Sequence, residues 1–187
     1  MPTCYISFSA EINPSTTEAL IALVAQQVNS GNSDIYLMMS TPGGAVMNGL
    51  NIYNVLRAMP INLTTHNMGN IDSIGNAIFL AGKQRYACPH STFMFHGVGF
   101  DVRTQMRFEQ KNLNEMLSSI LADQKRIGDL LREHTTLNQR QIRNFFKEAR
   151  TINSDTAKAA GIVHEIRDVN ILPGSPIFSL VFPRQGV

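Results

Sequence analysis

Two side chains of this sequence suit covalent acyl chemistry by type and by place: the hydroxyl of Ser73 in IDSIG, and the imidazole of His96, which closes STFMFH. Asn62 to Asn67 reads as a strand and Ile74 to Ala81 as a short helix apolar nearly all round, so Gly69-Asn70-Ile71-Asp72-Ser73 is predicted as the turn between them. A serine at such a junction lies in the cleft beyond the carboxyl ends of parallel strands. The N–H of the next residue, Ile74, faces the same point from a helix N-terminus. That pairing fits a nucleophile and half an oxyanion hole. Alone it is weak: Ile71 breaks the G-x-S-x-G elbow, and a helix-capping serine is the commoner reading. The turn Ser40-Thr41-Pro42-Gly43-Gly44 is a second place where N–H groups can point at a ligand, because glycine adopts positive φ and lets the backbone come close. A single strand-end histidine is more often a satisfied core residue. A glycine turn, a serine and a histidine after successive strands, however, converge on one cleft.

The elements that would carry these residues follow from hydrophobic period. Cys4 to Ser9 reads as a strand, and Asn13-Pro14-Ser15 starts a helix whose apolar positions Leu20, Leu23, Val24 and Val28 keep a helical repeat to Asn29. Ile35 to Met39 is a continuous apolar run, as expected of a parallel strand covered on both faces. Asn48 to Met59 returns to helix and stops at Pro60. Lys83 to Ala87 and Thr92 to His96 are further strands about a turn at Cys88-Pro89-His90-Ser91. Alternating strands and helices predict an α/β fold of right-handed βαβ units on a largely parallel sheet.

Beyond them, a long polar helix is expected from about Thr104 to His134. Its apolar stripe, from Met106 through Leu113, Leu117, Ile120 and Leu121 to Ile127, Leu130 and Leu131, predicts contact with another subunit. Short helices at Asn138 to Lys147 and Ser154 to Ala160 and a strand at Ile162 to Ile166 complete one domain, residues 1–166. Residues 167–187 read as an extended tail.

Composition narrows the function classes. At 187 residues and 43% hydrophobic, the chain supports a core burying roughly 70% of the unfolded surface. With a net charge of +2 and no block of like charge, a nucleic-acid partner is not expected. Cys4 and Cys88 lack metal-ligand spacing, so no metal or cofactor is implied, and buried thiols in a reducing compartment are the main expectation over a disulfide. No signal peptide and no membrane span are read, and the cytoplasm is the expected location.

Three blocks, MSTPGGAVMNGLNIYN, GNIDSIGNAIFLAG and RYACPHSTFMFH, resemble the signature blocks of the Clp protease proteolytic subunits, and the resemblance runs from about Ile6 to Ile166. It implies a ClpP/crotonase-like ββα spiral, Ser73 as nucleophile, His96 as general base, and the N–H groups of Gly44 and Ile74 as oxyanion hole. It also implies a peptide or unfolded protein as substrate, and a homo-oligomer in which the helix from Thr104 to His134 is the handle between rings.

Four departures from the family pattern stand out. Ala149 occupies the position of the family's aspartate, the third member that orients the imidazole. Glu148, Asn153 and Asp155 are the nearby substitutes. Asn153 is the preferred orienter among them, although the commoner reading of Asn153 and Asp155 is as caps of the helix that follows. Asp72 replaces a small residue before the serine, where it either perturbs the hydroxyl or caps the helix, and Gly97-Val98-Gly99 replaces Gln-Pro after the histidine. The chain opens at the family's first core strand, which places an ATPase partner in doubt. The leading reading is a serine peptidase. A silent homologue serving as a structural subunit is the alternative, and an acyl-CoA enzyme on the same fold a further one.

Overall fold

A computed structural model describes residues 3–100, 107–180 and 182. Strands β1 (Cys4–Ser9), β2 (Asp34–Thr41) and β3 (Asn62–Asp72) run parallel, joined by helices α1 (Pro14–Asn29) and α2 (Val46–Ala58). The apolar run in β2 divides by the two-residue period of a strand. Ile35, Leu37 and Met39 enter the main core, while Tyr36 and Met38 join Tyr5 in a smaller cluster on the opposite face, closed by Tyr86 and Val169. Both faces are therefore covered, which explains why the run does not alternate in polarity. Helix α1 is capped by Asn13, whose side chain accepts the Thr16 N–H at 3.0 Å while the Thr16 hydroxyl accepts the Asn13 N–H at 3.0 Å. Pro14 follows at the first helical position, where its missing N–H costs nothing.

Strand β3 differs from the sequence expectation. Instead of turning after Asn67 it continues to Asp72 and changes partners on the way. Thr64 to Asn67 pair with β4 (Gln84–Ala87), and Asn70 to Asp72 pair with β5 (Thr92–Phe95). Asn67 makes the switch possible: its side-chain oxygen accepts the Gly69 N–H at 3.0 Å and its amide donates to the Thr92 carbonyl at 2.8 Å. Asn and Gly, read as turn residues, here serve a strand bending between two neighbours, so the true turn shrinks to Ser73 and Ile74.

Short helix α3 (Gly75–Leu80) follows, buried at every position. Helix α4 spans Gln110–His134, with Glu109 at its cap. Thr104 and Met106, part of the expected helix, lie outside the described residues, as do Val181 and residues 183–187 of the tail. The apolar stripe of α4 has two fates. Leu113, Leu117 and Leu121 are 53%, 54% and 58% exposed, whereas Ile127 and Leu131 are buried against the head of the molecule.

Helix α5 (Gln139–Glu148) leads into β6 (Arg150–Asn153), a strand that four mostly exposed residues did not announce, antiparallel to β5. After α6 (Ser154–Ala159), Gly161 turns the chain, and β7 (Glu165–Ile166) is shorter than the expected Ile162 to Ile166 because Ile162 and Val163 go into the core. The tail is not merely extended: β8 (Ile177–Leu180) adds to the sheet parallel to β1. The sheet order is β6-β5-β3-β2-β1-β8, with β4 beside β3 and β7 beside β4. Cys4 and Cys88 are both free thiols.

Candidate active site

Ser73 is built into an elbow. Its φ of 55° is left-handed, a region that L residues other than glycine enter at a cost of about 1–2 kcal/mol. The conformation is held from both sides. The Ser73 N–H donates to the Met94 carbonyl at 2.9 Å, extending the β3–β5 ladder by one bond, and its carbonyl accepts the Asn76 N–H at 3.2 Å. The glycine turn after β2 closes directly on this elbow. A Cβ on Gly43 would lie 2.6 Å from the Ser73 Cβ, and one on Gly44 would lie 2.1 Å from the Ile12 carbonyl oxygen, so both positions require glycine.

The main-chain donors around the elbow are not all used. The Gly43 N–H goes to the Thr41 hydroxyl at 3.1 Å and the Ala45 N–H to the Ile12 carbonyl at 2.8 Å. Among the described residues no acceptor meets the N–H of Gly44 or of Ile74. Two free donors thus flank the serine, one from each turn.

His96 stands just past β5, with an exposed ring. Its Nδ1 lies 2.8 Å from the Gly97 carbonyl oxygen, which can only accept. Nδ1 therefore carries a proton, and in the neutral ring Nε2 has the lone pair a general base needs. Ser73, Gly44 and His96 line one cavity of about 340 Å³, walled by Val46, Phe95, Ile127 and Phe146 and by the segment Gly97 to Phe100. The hydroxyl and the imidazole share it without a direct hydrogen bond, a contact that often tightens only around a bound substrate.

Strand register indicates what lies across from His96. β6 pairs Asn153 with Thr92 and Arg150 with Phe95, so one further step sets His96 opposite Ala149, where no carboxylate stands. Asn153, expected as the orienter, lies at the other end of β6. Four residues at ~3.4 Å each put it about 14 Å along the strand, and its side-chain oxygen accepts the Thr156 N–H at 2.9 Å as the cap of α6. The capping reading of Asn153 is the one its geometry follows, and the Gly97 carbonyl holds the ring instead. Asp155 occupies the first turn of α6 and Glu148 the last turn of α5, neither bonded to the imidazole. Asp72 neither caps α3 nor meets the serine: its carboxylate accepts the Asn70 amide at 2.7 Å, and that amide also donates to the Thr41 carbonyl at 3.1 Å.

A second strand histidine shows what a structural role looks like. His66 in β3 is fully buried, its Nδ1 2.6 Å from the Tyr36 hydroxyl and its Nε2 3.0 Å from the Arg167 carbonyl. Burial lowers its pKa to about 4, so it is neutral at pH 7, and both ring nitrogens are spoken for. His96, by contrast, lines the cavity with an exposed ring and has only its Nδ1 in a hydrogen bond. Among the described residues no group of histidine, cysteine and carboxylate side chains could hold a metal ion, and no helix is long and apolar enough to cross a membrane.

A protein-family model described as Clp protease matches residues 2–170. Among solved structures, the fold is similar to that of a ClpP1 mutant from Listeria monocytogenes, with a TM-score of 0.78 and 22% sequence identity over 88% of this chain and 91% of that one. At that identity the likeness is one of fold: the ClpP/crotonase-like spiral.

Proposed function

The chain belongs to the Clp protease family, and we propose that it is a serine peptidase working through Ser73 and His96. The Ser73 hydroxyl attacks a peptide carbonyl while His96 Nε2 takes its proton. The Gly44 and Ile74 N–H groups hold the oxygen that becomes negative, His96 returns the proton to the leaving amine, and water then releases the acyl group by the same route in reverse. The observation that carries this reading is the strained serine elbow opening onto the cavity of the histidine between two unused main-chain donors. With the Gly97 carbonyl in place of an acid, the tautomer is held but the imidazolium is stabilised by a dipole and not a full charge. Turnover should then be slow, since loss of the acid in a related triad lowers kcat by about 10⁴.

The cavity wall combines the apolar side chains of Val46, Phe95, Ile127 and Phe146 with main-chain and polar groups in similar measure, which suits a peptide or unfolded chain. The exposed leucines of α4 support a homo-oligomer made through that helix. A fluorophosphonate probe tests the chemistry. Labelling that disappears in Ser73→Ala supports it, and no labelling between pH 6 and 9 overturns it. A second reading, a silent subunit of an assembly, draws on Ala149 facing His96. It requires an oligomer by light scattering at micromolar concentration together with absent labelling.

A further inference from the structure

Helix α3 is buried at every position, yet its second residue is polar: Asn76 is 1% exposed. Its side-chain nitrogen lies 2.9 Å from the Met94 carbonyl oxygen, 3.0 Å from that of Ser73 and 3.4 Å from that of Ile71. Three acceptors around one atom settle which end of the amide this is, because an oxygen placed there would face three other oxygens. Two N–H bonds serve the two nearer carbonyls. The other end of the amide, Oδ1, is buried and has no partner among the described residues. A buried acceptor left unpaired destabilises a fold, so packing alone does not account for Asn76. Its contribution lies at the nitrogen.

Both carbonyls held there belong to the elbow and its neighbour. The Ser73 carbonyl follows the left-handed φ, and the Met94 carbonyl is the one that accepts the Ser73 N–H at 2.9 Å. Met94 is two residues ahead of His96 on the strand that delivers the imidazole. One side chain thus grips the nucleophile's peptide on its carbonyl side, braces the acceptor of its N–H, and ties both to β5. We propose that Asn76 is a positioning residue, holding the Ser73 elbow and β5 in a fixed relation so that hydroxyl and imidazole address the same substrate atom. The role rests on the Ser73–His96 reading, but the gripping itself does not.

Three variants and two measurements test it. Asn76→Ala removes the donor and the unpaired oxygen together. Asn76→Ser keeps one hydroxyl able to reach a carbonyl three residues back in a helix. Asn76→Leu fills the volume without a donor. The expected order of second-order fluorophosphonate labelling is wild type, then Ser, then Ala and Leu, with Ala at least about tenfold slower at a temperature where all are folded. Amide exchange in a peptide covering residues 71–78 should quicken in Ala and Leu as the Ser73 N–H bond loosens. Labelling of Ala within twofold of wild type, or equal rates for Ser and Ala, overturns the proposal. If the wild type is not labelled at all, the peptidase reading fails, and exchange alone decides for Asn76: quickened exchange upholds the grip and unchanged exchange ends it. Should Asn76→Ala not fold, Asn76→Ser is read against wild type in the same way, and a wild-type rate with wild-type exchange overturns the proposal.

Discussion

Two residues other than glycine adopt left-handed backbone among the described residues, Ser73 with φ 55° and Ala149 with φ 49°, and they lie on opposite sides of β5, the strand that leads to His96. Ser73 is held on all sides: by the Met94 carbonyl, by both nitrogens of Asn76, and by a glycine turn that fits only because it lacks side chains. Ala149 is exposed and makes one cap bond, its N–H to the Phe145 carbonyl, at a helix C-terminus of the kind where glycine is usual. The same dihedral therefore means different things. At Ser73 the surroundings over-determine a strained conformation and aim it into a cavity, the pattern of a functional site. At Ala149 the strain is that of an ordinary helix end, and the place facing the imidazole is left without charge.

The largest effect should come from Ser73→Ala, which leaves the elbow and removes the hydroxyl. Fluorophosphonate labelling is expected to fall by at least ~10³-fold while the thermal midpoint moves little. Comparison of the two residues in acid must first subtract the scaffold's own titration. His66, with a folded pKa of about 4 against an ordinary 6.5, makes the unfolded state the first to take up a proton as pH falls. Its contribution is whole above pH 6.5 and is lost between 6.5 and 4. Urea unfolding at pH 4.5 should show roughly 2–3 kcal/mol less stability than at pH 7, and His66→Gln should flatten that slope.

Ala149→Asp tests whether the empty place opposite His96 matters. Aspartate tolerates left-handed backbone better than most residues, and a carboxylate there should raise the labelling rate by about tenfold or more. An unchanged rate would reduce Ala149 to a helix end and nothing else. The smallest effect is expected from Ala149→Gly, which relieves the strained φ and should stabilise the fold by about 1 kcal/mol, read from a denaturant midpoint. The corresponding Ser73→Gly change should lose labelling whatever it does to stability.

The candidate pair, Ser73 and His96, was legible because its signals are local. An apolar run, a turn of glycines and a serine ahead of an apolar helix each declare themselves within a few residues, and those steps place Gly44, Ser73 and His96 at strand ends. The partner change within β3 was hidden because Asn67, Gly69 and Asn70 carry turn chemistry, and only the Thr92 carbonyl, 25 positions on, turns Asn67 into a strand residue. Asn76 was passed over as one polar residue in an apolar helix. A buried amide three positions after a candidate nucleophile was the available signal.

Residue order alone settled the α/β class, the succession of strands and helices up to β5, and which side chains had the chemistry for acyl transfer, since periodicity and turn preference act between near neighbours. Tertiary structure alone decided that β6 brings Ala149, and not Asn153, across from His96, that the tail adds to the sheet edge as β8, and that the Asn76 amide reaches both the Ser73 elbow and β5. Those outcomes depend on register between segments far apart in the chain. A one-residue slip there exchanges every facing side chain, and no local pattern encodes it.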